Sequence, residues 1–239
     1  MPNLEKELWD KVKKYMRYLK WIPSLRMVGV CNNLAFGDID GQSDIDLFVI
    51  AKKGRLFTVR LFVTVILYFL GVRRHGNKIA GRFCLSFFVD DSALDLKLIA
   101  IENDIYLSYW IKTMKPVVDD GVSEEFLTAN DWIKGYFEDG IKLEVDKSRL
   151  IYKKKYLGKI IFFPFLSYFP WILERRFRKT QLRFIRASSN KLKDKSGIVV
   201  NDHMLKFHNL DRRKEYSEAW TKKYDRDAKI TDQKFRHLF

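Results

Sequence analysis

Hydrophobic positions near the start of the chain recur at three- and four-residue spacing. Leu4, Leu8, Val12, Tyr15 and Leu19 form one stripe, which predicts an amphipathic helix from Leu4 to Trp21. Pro23 and Ser24 end it. The pattern then shortens. Leu25–Cys31 (LRMVGVC) and Asp44–Ile50 (DIDLFVI) read as strands around a polar stretch that holds Gly37 and Gly41. Arg55–Leu70 is a strongly apolar helix stopped by Gly71. Arg82–Val89 (RFCLSFFV) predicts a third strand. Ala93–Ala100 (ALDLKLIA) alternates with period two and predicts a fourth. Asp104–Met114 and Glu124–Phe137 read as helices.

Strands interleaved with helices imply an α+β or α/β domain with a mixed sheet over residues 1–120. Residues 121–239 differ. They predict a mainly helical, basic extension. Tyr156–Leu173 is apolar and aromatic, broken by Pro164 and Pro170, and Glu174–Lys195 is basic and helical. Gly197–Val200 and Met204–Phe207 suit a small hairpin around Asn201-Asp202. Asp211–Tyr224 suits a last helix, and the final 15 residues are polar enough to fray. No internal repeat is visible.

Composition narrows the class. With 47% hydrophobic residues, 15% aromatics, 12 Gly and 5 Pro, the chain is neither low-complexity nor disordered. Cys31 and Cys84 sit in apolar runs and read as core; they form no disulfide framework or CxxC pattern, so a reducing setting is expected. The charged N-terminus argues against secretion, which leaves a cytoplasmic expectation. Leu61–Val72 and Ile160–Leu173 each run about a dozen residues without charge. That is short of the ~20 a spanning helix needs.

The net charge of +15 changes the picture once it is located. Lys147–Lys195 holds 15 Lys and Arg against Glu174 and Asp194, whereas the other 190 residues hold 30 basic and 28 acidic side chains. An anionic partner for this segment follows. RNA contact over 147–195 and peripheral membrane contact over 156–195 both suit it, and the bland alternative is a solvated helical face. No Walker A, GxGxxG, zinc spacing or RNA-recognition module accompanies it.

One stretch carries chemistry: Val28-Gly-Val-Cys-Asn-Asn-Leu-Ala-Phe-Gly37, then Ser43-Asp-Ile-Asp-Leu-Phe-Val-Ile50. Asp44 and Asp46 are two apart on a strand, so both carboxylates face one side while Ile45 and Leu47 face the other. Carboxylates this close repel, and a divalent cation relieves them. The pattern of apolar strand, turn, short helix and Asp-x-Asp resembles the nucleotidyltransferase superfamily, the DNA polymerase β-like fold. Leu34-Ala35-Phe36-Gly37 matches the helical turn and Ser43-Asp44-Ile45-Asp46-Leu47 the metal strand, over about residues 25–100. The form Cys31-Asn32-x-Leu34-Ala35, with the long apolar helix and Gly76-Asn77-Lys78, is similar to a prokaryotic subgroup.

The resemblance implies a nucleotidyltransferase-like mixed sheet flanked by helices. It implies Mg²⁺ or Mn²⁺ on Asp44 and Asp46, and an NTP substrate whose phosphates meet the turn. It further implies transfer of a nucleoside monophosphate to an acceptor hydroxyl. The chain departs from the pattern twice. Asn32-Asn33 replaces the Gly-Ser of the turn, leaving Asn32, Asn33, Ser43 and Lys78 as candidate nucleotide contacts. The third carboxylate, on a neighbouring strand and often the catalytic base, is absent from Arg82–Val89; Asp95 and Asp90 are its candidates. These departures keep an alternative open: a catalytically inactive protein of this fold that binds nucleic acid or a membrane through its basic aromatic segment. His203 and His208 read as structural.

Overall fold

The computed structural model describes residues 2–143, 145–152, 170–189, 196–207, 211–225 and 228–238. Its centre is a seven-stranded mixed sheet. The strands are β1 (Leu25–Cys31), β2 (Ile45–Ala51), β3 (Phe83–Asp90), β4 (Lys115–Asp119), β5 (Ile151–Tyr152), β6 (Ile198–Val200) and β7 (Met204–Phe207). Their order across the sheet is β5-β4-β1-β2-β3-β7-β6, so one sheet takes strands from both sides of residue 120. β2 and β3 run parallel, joined by helix α3 (Leu56–Phe69); β1 lies antiparallel to β2 and to β4. The expected hairpin forms as β6 and β7, and β7 extends the sheet beyond β3.

Helices cover both faces. α1 (Pro2–Leu19) fully buries Leu8, Val12 and Leu19 of the predicted stripe, with Leu4 and Tyr15 partly buried, and adds Met16, which the stripe did not include. Its Tyr15 meets the edge of Phe83 at 5.9 Å. On the other face lie α4 (Ile105–Thr113) and α5 (Val122–Ala129). There Phe48 of β2 packs against Phe87, Trp110 and Phe126 at 5.0–5.2 Å. Burying four such rings supplies several kcal/mol to this face, at roughly 1.5–3 kcal/mol for each full burial.

Two expectations give way to one side chain. Ala93–Ala100 is not a strand; Leu96–Ile99 forms a 3-10 turn. Glu124–Phe137 is not one helix; it breaks at Asn130 into α5 and a second 3-10 turn, Asp131–Tyr136. The fully buried Asn130 explains both. Its Nδ2 donates to Leu94 O (2.7 Å) and Phe126 O (2.8 Å), and its Oδ1 accepts from Leu96 N (2.9 Å). The backbone of 94–96 therefore finds its partners in a side chain and needs no neighbouring strand. The strand that does join the sheet, on the side of β1 away from β2, is β4, short and carrying Pro116.

The C-terminal region is tied down. α6 (Pro170–Ser189) docks through Glu174, which accepts from Phe57 N (2.8 Å) and Thr58 N (2.9 Å) and so caps the start of α3. α7 (Arg213–Lys223) and α8 (Asp232–Arg236) pack beneath α4. The final residues do not fray: Ile230, Phe235 and Leu238 are buried, and Phe235 stacks on Tyr109 at 3.7 Å. Most of Tyr156–Leu173, the end of the basic segment and His208 lie outside the described residues. No helix among the described residues is long and apolar enough to cross a membrane.

Arg213 joins these parts. Its guanidinium is 9% exposed, holds Asp211 at 2.6 Å, lies 3.8 Å from the buried Asp104 and donates to the Ile99 carbonyl. The Arg213 hydrogen bonds pull the Asp211 carboxyl down to about 2. Its contribution is therefore complete above the ordinary carboxylate range and fades as pH falls from about 4 to 2. Arg213→Met leaves buried carboxylates without their cation. Urea unfolding at pH 7 should show a loss of about 3–5 kcal/mol, shrinking markedly when the same comparison is made at pH 3.

Candidate metal and nucleotide site

The site sits where β1 ends, β2 begins and β3 begins. Cys31 pairs with Asp46, and Asp46 pairs with Cys84. The β2–β3 register then slips, so that Phe48 pairs with Phe87 and β3 carries one extra residue. This bulge keeps Cys84 beside Asp46 and Phe87 beside Phe48. Asp44, Asp46 and Cys84 form the one grouping of three metal-ligating side chains among the described residues. A carboxylate oxygen of each Asp and the Cys84 Sγ lie within 4.8 Å of one another.

Each carboxylate has its own partner. Asn32 Nδ2 donates to Asp46 Oδ2 at 2.8 Å. The Tyr106 hydroxyl donates to Asn32 Oδ1 at 3.1 Å, which leaves the amide N–H groups for Asp46. Arg74 Nη1 lies 2.6 Å from Asp44 Oδ2 and 3.8 Å from Cys84 Sγ. Burial, then the neighbouring Asp44 charge, push the Asp46 carboxyl up to about 6 despite the Asn32 bond. Burial and both carboxylates raise the Cys84 thiol, so it stays protonated at neutral pH.

The turn before the site has the expected outline. Asn32 adopts a left-handed backbone (φ 57°), Asn33–Phe36 makes one helical turn, α2, and Gly37 closes it at φ 73°. With ψ −142° Asn32 lies outside the left-handed helical region that Asn visits readily, so the contacts of its side chain must hold it there. Here that side chain reaches the metal strand rather than open solvent. Asn33 is exposed on α2. The Ser43 hydroxyl closes the preceding loop, donating to Asp40 Oδ1 (2.8 Å) and accepting from Asp40 N (3.0 Å). Lys78 is exposed, in a tight turn where it pairs with His75.

Neither candidate for the third carboxylate reaches the pair. Asp90 stands at the far end of β3, opposite Ala51, about 16 Å along the strands from Asp46 at 3.3 Å per residue. It is fully buried and bonded to Ser92 Oγ (2.6 Å) and His203 Nδ1 (3.0 Å), which gives His203 the structural role expected of it. Asp95 caps the Leu96–Ile99 turn through Lys97 N at 2.8 Å. The register position beside Asp46 belongs to Cys84, which is half-buried in the site and not a core cysteine like Cys31. The sequence carried a signal for this: Cys84 is the second residue of a strand parallel to the metal strand. Arg74 had none beyond its closeness to that strand.

The donor set fits a divalent cation. Two carboxylates offer hard oxygens suited to Mg²⁺ or Mn²⁺, and the thiol adds a softer donor. A cleft of about 660 Å³ runs beside α2, lined by cations such as Lys112, Lys115 and Arg149 and by the acids Glu5, Glu138 and Asp232; the carboxylate pair does not line it.

Without a cation, the raised Asp46 carboxyl costs stability. Such a cost grows as pH rises from about 4 to 6 and is complete at pH 7.5. Asp46→Asn should therefore melt about 2–5 °C above the unsubstituted protein in EDTA at pH 7.5. Millimolar Mn²⁺ should raise the melting temperature of the unsubstituted protein and leave that of the variant nearly unchanged. Comparison with protein-family models, with curated proteins and with solved structures found no match to this chain.

Proposed function

We propose that this protein is a divalent-cation-dependent nucleotidyltransferase. It would move a nucleoside monophosphate from an NTP to an acceptor hydroxyl and release pyrophosphate. The observation that carries the reading is the pairing of Asp44 and Asp46 on one face at the start of β2. A left-handed turn and a one-turn helix precede them at the spacing such enzymes use. Asp44 and Asp46 would hold Mg²⁺ or Mn²⁺. A cation bound there supplies charge for the α-phosphate and the leaving oxygen.

The chain's own residues then have separable roles. Asn32 fixes the rotamer of Asp46, and Tyr106 fixes Asn32. The protonated Cys84 offers no base, so the acceptor proton passes to water or to a phosphate oxygen of the nucleotide. Acceptor oxygen attacks phosphorus, a new P–O bond forms, and the bond to the pyrophosphate oxygen breaks.

The test is transfer of label from each of four α-³²P-NTPs, with Mg²⁺ or Mn²⁺. The acceptors would be the protein itself, an RNA pool and a metabolite extract. Label should appear with one nucleotide and fall by about 10²-fold or more in Asp44→Asn and in Asp46→Asn. Label that persists in both variants would reject the assignment.

A second reading draws on α6. Arg175, Lys179 and Arg183 recur every four residues, about 6 Å apart along the axis, with Arg176 and Arg186 beside them. The helix's one acid, Glu174, turns inward to α3, while Trp171 and Phe184 are 57% and 71% exposed. Such a face supports contact with a polyanion, and it is the basis for a binding protein without catalysis. Arg178 is less available, since it pairs with Asp202 at 2.6 Å. Joint replacement of Arg175, Lys179 and Arg183 by Glu should abolish retention on phosphatidylserine vesicles or RNA columns at 0.1 M salt. Retention unchanged by the triple substitution would remove this face from consideration.

A further inference from the structure

We infer that Arg74 exchanges partners: it neutralises Asp44 while the site lacks a cation and swings to the nucleotide's phosphates when a cation enters. This rests on the nucleotidyltransferase reading of the site and adds a nucleotide-binding residue that the sequence pattern does not mark.

Three observations carry it. First, position. Arg74 Nη1 contacts Asp44 Oδ2 (2.6 Å) and approaches Cys84 Sγ (3.8 Å), on two of the three side chains that would hold the cation. A guanidinium and a divalent ion cannot share that place, because like charges at contact distance repel strongly. Second, asymmetry. Asp46 is held by the neutral amide of Asn32, whereas Asp44 is held by the cation. Entry of a divalent ion therefore disturbs the Asp44 contact and can leave the Asn32 contact in place.

Third, mobility of the right part. The backbone of Arg74 is pinned to the sheet, its N–H donating to Phe83 O at 2.9 Å beside the Arg73–Phe83 bridge. Arg82 locks the same loop by donating to Gly71 O at 2.6 Å. The Arg74 side chain, in contrast, is 40% exposed on a long flexible stem. It can turn about its own torsions without moving the loop. Its planar fork suits bidentate contact with a phosphate, and the site's charge improves on exchange. With Arg74 in place the carboxylate pair carries one uncompensated negative charge. With a divalent ion in its place the pair is neutral, and Arg74 is released beside the incoming polyphosphate.

The exchange predicts effects of opposite sign in one variant. Mn²⁺ binding to the nucleotide-free full chain can be followed by loss of the free Mn²⁺ electron-paramagnetic-resonance signal. Arg74→Ala should bind Mn²⁺ about 3- to 10-fold more tightly, because the competing counter-ion is gone. At saturating Mn²⁺ the same variant should bind α,β-methylene-ATP about 10-fold more weakly. Arg74→Lys, which keeps the charge on a comparable stem, should restore Mn²⁺ affinity to the unsubstituted value and recover nucleotide affinity only in part. Mn²⁺ affinity that is equal or weaker in Arg74→Ala overturns the exchange, as does unchanged nucleotide affinity. No Mn²⁺ binding by either protein at millimolar concentration overturns the nucleotidyltransferase reading itself, and the exchange with it.

Discussion

Two carboxylates on one face of one strand must be kept from driving each other apart. Asp44 and Asp46 are half-buried at the start of β2, and burial disfavours the charge on Asp46. The surrounding structure is arranged around that strain. Asn32 occupies a left-handed position that turns its amide onto Asp46. Tyr106 consumes the amide's acceptor. Tyr216 packs on Tyr106 with ring centroids at 5.0 Å, and Phe235 stacks against both Tyr109 and Tyr216. A polar contact at the start of β2 is thereby braced by the last two helices of the chain. The C-terminal region supports the site mechanically even though none of its side chains touches a carboxylate among the contacts described.

How much of this was legible depends on the range of the interactions involved. Period and punctuation are local, so β1, β2, α3, β3 and the β6–β7 hairpin were all visible in the sequence. So was the carboxylate pair, because a two-residue spacing on a strand fixes the face. Ala93–Ala100 misled for the converse reason. Its alternation is that of a strand, but Asn130, more than thirty residues away, takes the backbone groups that a neighbouring strand would need. β4 was hidden by its brevity and by Pro116, which can sit opposite Gly29 because the register slips there. The polar tail was expected to fray, since counting charges misses three apolar residues that are buried, Ile230, Phe235 and Leu238, of which Phe235 stacks among aromatic rings.

The side chains of the site divide the same way. Asp44 and Asp46 announce themselves by type and spacing. Asn32 was expected at a phosphate and is found at a carboxylate, because its backbone conformation sets where its amide points. Cys84, between Phe83 and Leu85, reads as core until strand register places it beside Asp46. Arg74 is one of several cations in a surface loop and becomes distinctive only through its 2.6 Å contact with Asp44.

The identity of the residue at the third position then sets the electrostatics of the whole centre. A carboxylate beside Asp46 would place three negative charges within a few ångströms, and one guanidinium could not balance them. A thiol there adds no charge, because burial and its acidic neighbours hold it protonated. The cluster keeps two negative charges, one met by a cation and the other by an amide. A neutral side chain beside Asp46 and a single arginine counter-ion on Asp44 are thus matched: a further charge at position 84 would call for a further partner.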